Sequence, residues 1–207
     1  MTDPIIETRG SAIPAPADNT SPAGYDRVAQ AFHWVTAILI LALVAIGLYC
    51  SWVGDGPTRT YLLEKWHKPF GLLVILLTIA RLWWKASQPA VPEADGLALW
   101  ESRLSRFGHL ALYLVLFAMP LSGLLMSQGA GRPTPFFGLF DIPQVLSVDP
   151  ALGPREQPAY KLGKWLHETV VEWTLYLIVG LHVLGVIKHQ IIDGNRAFIG
   201  RMWSWRR

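Results

Sequence analysis

Residues 165–191, WLHETVVEWTLYLIVGLHVLGVIKHQI, form an apolar run long enough to cross a bilayer, and the run carries His167, His182 and His189. At about 100° and 1.5 Å per residue, His167 and His182 lie within roughly 60° of each other and about 22 Å apart along the axis. One imidazole then faces the bundle in each leaflet. An ionisable ring deep in an apolar span is costly unless it has a partner. Two on one helix imply two partners stacked across the membrane, and iron centres are the obvious candidates.

The rest of the chain fits a membrane solvent. It has 207 residues, 52% hydrophobic and 16% charged, with ten tryptophans. The charges are unevenly spread, and four segments of about 20 residues or more are almost free of them. This predicts an all-α integral membrane protein with a four-transmembrane-helix bundle. The formal charge of +3 does not argue for nucleic acid, because much of the basic excess sits beside membrane ends. The single cysteine, Cys50, excludes an internal disulfide framework and a cysteine-ligated cluster. Residues 1–25 lack an apolar core region, so no cleavable signal peptide is expected.

Taken in order, residues 1–25 are rich in Pro, Ala, Ser and Thr and read as a disordered tail. Helix 1 is expected over 29–53, with His33 and Trp34 near its start and Trp52 near its end. Residues 54–64 read as a short loop. Helix 2 is expected over 65–84, with His67 on its first turns, Pro69 tolerated in a first turn, and Arg81 snorkelling at the far end. Residues 85–106 read as a polar connection with a short amphipathic piece, and helix 3 as 107–127, kinked at Pro120. The Gly- and Pro-rich stretch 128–163 is the longest loop, and Phe136, Phe137 and Phe140 in it predict a packed cap over a helix end. Helix 4 comes next, and the tail beyond 192 ends in basic and tryptophan residues.

Four helices put both termini on one side. That side carries 11 lysines and arginines against 7 on the other, which predicts cytoplasmic termini. His33, His109, His182 and His189 then fall in the cytoplasmic half, and His67 and His167 near the outer ends. The outer half has one possible pair. The inner half has four candidates for two positions. Depth does not separate His182 from His189, but His182 stands in LIVGLHVLGVI with no polar neighbour, whereas His189 lies between Lys188 and Gln190. Two imidazoles on facing helices clamp a haem iron from both sides, which suits one-electron transfer rather than oxygen binding. A histidine-based metal or proton transporter is the competing reading. It needs buried carboxylates, for which Glu168 and Glu172 on helix 4 are the candidates.

The ordered set of motifs resembles a family. It runs from His33-Trp34, through His67-Lys68 with Gly71, Arg81 and Gly108-His109, to PFFGLFDIP in the long loop. It continues through Leu166-His167-Glu168, Gly180-Leu181-His182 and Lys188-His189 to Arg201-Met202. This is similar to the prokaryotic cytochrome b561 family, dihaem b-type cytochromes of the bacterial inner membrane. The resemblance makes residues 26–203 the membrane domain, with 1–25 and 204–207 as tails. It implies two haem b per chain, with His33 and His182 on the cytoplasmic-side iron and His67 and His167 on the periplasmic-side iron. His109 and His189 match positions that are not ligands. Two departures are visible: Pro69 stands where a small polar residue often follows the His-Lys pair, and Gln190 stands where a second histidine is common.

The function this implies is electron exchange with membrane quinone, ubiquinone being the expected partner, in an oxidoreductase resembling the superoxide oxidases. Lys68, Arg132, Lys161 and Lys164, near the outer ends of helices 2 to 4, are candidates for steering superoxide or holding haem propionates. Arg81, Arg106 and Lys188 are the matching propionate candidates on the inner side. The alternative, from a different class, is an anchor subunit relaying electrons from a periplasmic redox donor, a partner dehydrogenase or hydrogenase, to quinone. Monomer and homodimer are both compatible with the sequence.

Overall fold

The computed structural model describes residues 24–92, 97–194 and 197–203, with no side chains described at 197 and 198. The expected disordered tail, apart from Gly24 and Tyr25, and the C-terminal tail 204–207 lie outside these residues. Among the described residues four helices are long and apolar enough to cross a membrane: α1 Arg27–Val53, α2 Pro57–Ser87, α3 Leu99–Gly129 and α4 Pro158–Ile192. A two-stranded hairpin, β1 Pro135–Phe136 and β2 Phe140–Asp141, lies in the loop between α3 and α4, and α5 Ala197–Gly200 comes after α4.

The burial pattern is inverted relative to a water-soluble bundle. Ile38, Leu41 and Leu177 are 60–66% exposed, while Thr78 is 0% and Thr36 2% exposed. Apolar side chains point outward, where lipid is as good a solvent as a protein core, and small polar residues sit between helices, allowing close approach. Thr78 donates its hydroxyl to the Val74 carbonyl at 2.7 Å, so its polarity is met within its own helix. A small apolar cluster of Val115, Val171 and Leu175, with Ile40, Val44, Met119 and Val179 against it, fills the middle.

Local chemistry explains the helix ends. Asp26 caps α1 by accepting from the Val28 and Ala29 amides at 2.8 and 2.9 Å. It also accepts from the Trp84 indole at 3.1 Å, tying the start of α1 to the end of α2. Trp34 donates to the Met202 carbonyl at 2.9 Å, which folds the chain beyond α5 onto the same end. Both termini of the described chain therefore meet at one end of the bundle, here the termini end. The 130–157 connection occupies the other, the loop end.

At the loop end, α3 and α4 touch backbone to backbone. A Cβ on Gly129 would lie 2.4 Å from the Tyr160 nitrogen, and one on Gly163 2.4 Å from the Met126 nitrogen. No side chain fits at either place. The connection is built on Gln128, which donates to the Pro143 carbonyl and accepts from the Val145 amide, and on Gln157, which accepts from the Asp149 amide and donates to its carbonyl. Phe70 meets Phe137 at 4.9 Å, and Phe136 and Phe140 pack beside it, so the expected aromatic cap is present and covers α2.

The helices are longer than their apolar runs suggest. The loop expected at 54–64 shrinks to three residues, because α2 already starts at Pro57. The amphipathic piece in 85–106 is fused to α3, and α4 begins at Pro158 rather than 165. Each extension carries charges into the headgroup zone, which a hydropathy reading takes for loop. Pro69 stands in the first turn of the α-helical stretch Lys68–Ser87, though not at a free helix start. It comes directly after a π turn over Leu63–His67, whose i→i+5 bonding, including the Lys68 amide to Leu63 carbonyl, makes room where the proline ring would meet an α-helical carbonyl.

Candidate functional site

Two further π turns interrupt α4, at Leu166–Val171 and Lys188–Ile192. Among the described residues all three π turns contain a histidine: His67, His167 and His189. A π turn inserts an extra residue and rotates the next stretch of helix, so it can aim a side chain that regular pitch would send elsewhere.

At the loop end, His67 of α2 faces His167 of α4, with ring centres 6.1 Å apart and planes at 79°. His67 Nδ1 is buried and makes no hydrogen bond of good geometry. His167 Nδ1 lies 2.9 Å from the Met119 carbonyl and 3.1 Å from Ser122 Oγ, which fixes its ring against α3. Glycines stand over both rings. A Cβ on Gly123 would lie 3.0 Å from His167 Cε1, and one on Gly47 3.5 Å from His67 Cε1. Nothing but hydrogen fits at Gly123 without moving the imidazole.

At the termini end, three histidines converge. His182 of α4 lies 6.3 Å from His33 of α1 and 5.8 Å from His109 of α3, centre to centre. His109 Nδ1 is 2.7 Å from the Ser105 carbonyl of its own helix. Arg81 Nη2 is 3.5 Å from His33 Nδ1, and its guanidinium lies 5.6 Å over the Tyr113 ring, which Lys85 also faces. The sequence placed His109 among the four inner-half candidates but did not single out its approach to His182.

These separations suit a metal between facing rings. Taking zinc–imidazole bonds as a guide, each nitrogen sits roughly 2 Å from the metal and roughly 1.1 Å from its ring centre, which puts facing centres roughly 6.2 Å apart. With an unpartnered buried nitrogen on His67 and a glycine cradle over each loop-end ring, the residues fit a haem held from both faces.

His189 lies apart from both groups. Its Nδ1 is 2.7 Å from Asp193, and Lys188 bonds both Asp193, at 2.9 Å, and Glu101. The ammonium holds Asp193 below the usual carboxylate range. Glu101, His189 and Asp193 bring potential ligand atoms within 4.8 Å of one another, but with Lys188 on both carboxylates the group is an ion-pair network. Glu168 pairs with Lys164, and Glu172 accepts the Tyr176 hydroxyl at 2.5 Å, so neither carboxylate that a transporter would need is available to the histidines. Arg106 donates to Ser102 Oγ at 3.1 Å.

The loop-end cations divide into two groups. Lys68 is held by Glu64 at 2.6 Å and the Pro133 carbonyl at 2.8 Å, on the side of the aromatic cap, and the Arg132 amide closes the turn after α3. Lys161 and Lys164 instead line a cleft of about 480 Å³ between the ends of α1, α2 and α4, together with Arg59 and Arg155. Asp55 bridges these two arginines, at 2.7 and 2.5 Å. The Arg155 guanidinium holds the Asp55 carboxyl below its ordinary range, and Asp55 raises Arg155 in return. Arg59 and Arg155 were missed from sequence. Asp55 and Arg155 are 100 residues apart, and nothing local marks either as a partner.

A family profile described as prokaryotic cytochrome b561 matches residues 24–205. The chain belongs to the prokaryotic cytochrome b561 family. It is thus a bacterial membrane protein of an electron-transfer family, and cytochrome b561 membership implies b-type haem. "Cytochrome b561 homolog 2" of Escherichia coli K12 is 31% identical over 180 residues, covering 84% of this chain and 88% of the relative. "Cytochrome b561 homolog 1" of the same organism is 24% identical, covering 82% and 92%. A "Probable superoxide oxidase CybB" of Yersinia pestis is 22% identical, covering 82% and 90%. In this cytochrome b561 chain, the four histidines that the motif resemblance singles out fall into the two facing groups described above.

Proposed function

We propose that this cytochrome carries two haem b, one on His67 and His167 at the loop end and one on His33 and His182 at the termini end. The observation that carries the reading is the pair of histidine groups at metal-spanning distance near opposite ends of α4, 6.1 and 6.3 Å between ring centres. The loop end is the periplasmic face of the inner membrane, in line with the lysine and arginine bias. Held between such imidazole pairs, haem b would supply one-electron redox chemistry.

The chain's own residues define what such carriers do. Met119 and Ser122 orient His167, and the glycines at 47 and 123 keep side chains off both loop-end rings. The apolar cluster of Val115, Val171 and Leu175, which lies along α3 and α4 between the two histidine groups in sequence, would keep water and protons from the space between them. Proton uptake for quinone reduction then belongs to the termini end.

The substrate reading is superoxide at the periplasmic face and ubiquinone as acceptor. Two superoxide anions yield two dioxygen molecules and two electrons, and ubiquinone takes these with two protons. The resemblance to a protein named as a probable superoxide oxidase supports it. Purified protein in ubiquinone-containing liposomes should accelerate superoxide loss with stoichiometric quinol formation. Superoxide loss without quinol would contradict the reading. The anchor-subunit alternative is favoured by the exposed Leu139, Phe140 and Val145 on the outer loop, a surface a soluble redox partner could cover. Co-purification of such a partner, with no superoxide turnover, would favour it.

A further inference from the structure

The loop-end cleft has a feature that anion steering does not need. Its α1 wall, from Cys50 to Gly54, starts one helical turn beyond Gly47, which faces the His67 ring, and its α4 wall ends at Glu168, beside His167. It therefore opens just outward of the loop-end imidazoles. Four cations, Arg59, Arg155, Lys161 and Lys164, line it against two carboxylates, Asp55 and Glu168. The site has two positive charges in excess.

Asp55 takes one donor from each arginine, out of the five each guanidinium carries. Arg59 Nε is buried without a hydrogen-bond partner. Leaving a buried donor of a charged group unmet is expensive, and the usual remedy is an oxyanion. Haem b carries two carboxylates on one edge, and two carboxylates near membrane depth need matching cations.

We propose that this cleft receives the two propionates of the haem on His67 and His167, with Arg59 and Arg155 as their principal partners and Lys161 and Lys164 completing the charge balance. The assignment rests on the ligand reading above. It sets aside Lys68, whose ammonium is already committed to Glu64 and the Pro133 carbonyl on the opposite side of the α2 end.

The test uses holoprotein carrying haem labelled with carbon-13 at the propionate carboxylates, read by redox-difference infrared spectroscopy. The loop-end component is identified as the one missing in His67→Ala. Arg59→Gln and Arg155→Gln should each shift that carboxylate band and speed transfer of the loop-end haem to apomyoglobin by roughly tenfold, the scale of one charge-assisted hydrogen bond. Lys68→Gln should leave the band in place. Arg155 is 54% exposed, so its variant carries the test even if Arg59→Gln fails to fold. Unshifted bands and unchanged haem transfer in Arg155→Gln would overturn the proposal, as would a shift confined to Lys68→Gln. Loss of a co-purified anionic phospholipid from Arg155→Gln, with the haem bands unmoved, would also overturn it and make the cleft a headgroup site. If His67→Ala retains two haems, the ligand reading itself fails, an outcome distinct from all of these.

Discussion

The two histidine sites are built in opposite ways. At the loop end a single pair, His67 and His167, sits on π turns, under glycines, with His167 fixed by the Met119 carbonyl. At the termini end three histidines lie on regular α-helix, and His182 has one candidate partner on each side. The loop-end site is specified by backbone geometry, which leaves one solution. At the termini end geometry leaves two solutions, since His33 and His109 both lie within reach of His182. His109, already bonded to the Ser105 carbonyl, is the better candidate for the ring left to hydrogen bonding.

This contrast can be broken most severely at the loop end. His67→Ala or His167→Ala should remove one haem and leave the other, halving the haem per chain in a pyridine haemochrome assay. Retention of both would mean that another residue substitutes, which no neighbouring histidine is placed to do among the described residues. Gly123→Val should come next. The added atoms overlap a ring that a Cβ alone would reach at 3.0 Å, and overpacking of this kind costs about 1–3 kcal/mol. Loop-end haem affinity should fall by roughly ten- to a hundredfold while the termini-end haem is unchanged, measured by haem titration of the apoprotein. The smallest effects belong to the spare histidines. His109→Ala and His189→Ala should each keep two haems, with His109→Ala altering only the low-spin spectrum of the termini-end haem. Loss of a haem from His109→Ala would reverse the assignment of His33.

The four spans were legible because apolar length decides them, whatever the exact packing. Their ends were not. Arg59, Glu64 and Lys65 before His67, and Lys161 and Lys164 before His167, look like loop residues yet lie on helix, because helices project beyond the hydrocarbon into the headgroup layer. The facing of His67 and His167 was legible from their depth near the outer ends, and His182 as a ring without polar neighbours, while the choice of His33 as its partner came only from the family resemblance. The closeness of His109 to His182 was not legible, since it depends on how α3 is rotated and crossed. The π turns leave little trace in composition, although Pro69 beside His67 was a signal that regular helix would not continue there. The cleft arginines, Arg59 and Arg155, come from segments distant in sequence and are bridged by Asp55.

The most direct test of the account is haem stoichiometry in the intact chain and in its two single-site variants. Reduced-minus-oxidised spectra with pyridine quantification should give two low-spin b-type haems per wild-type chain. His167→Ala and His33→Ala should each give one haem, with the remaining spectra differing between the two variants. One haem in the wild type, or loss of the same spectral component in both variants, would contradict two independent sites across the membrane.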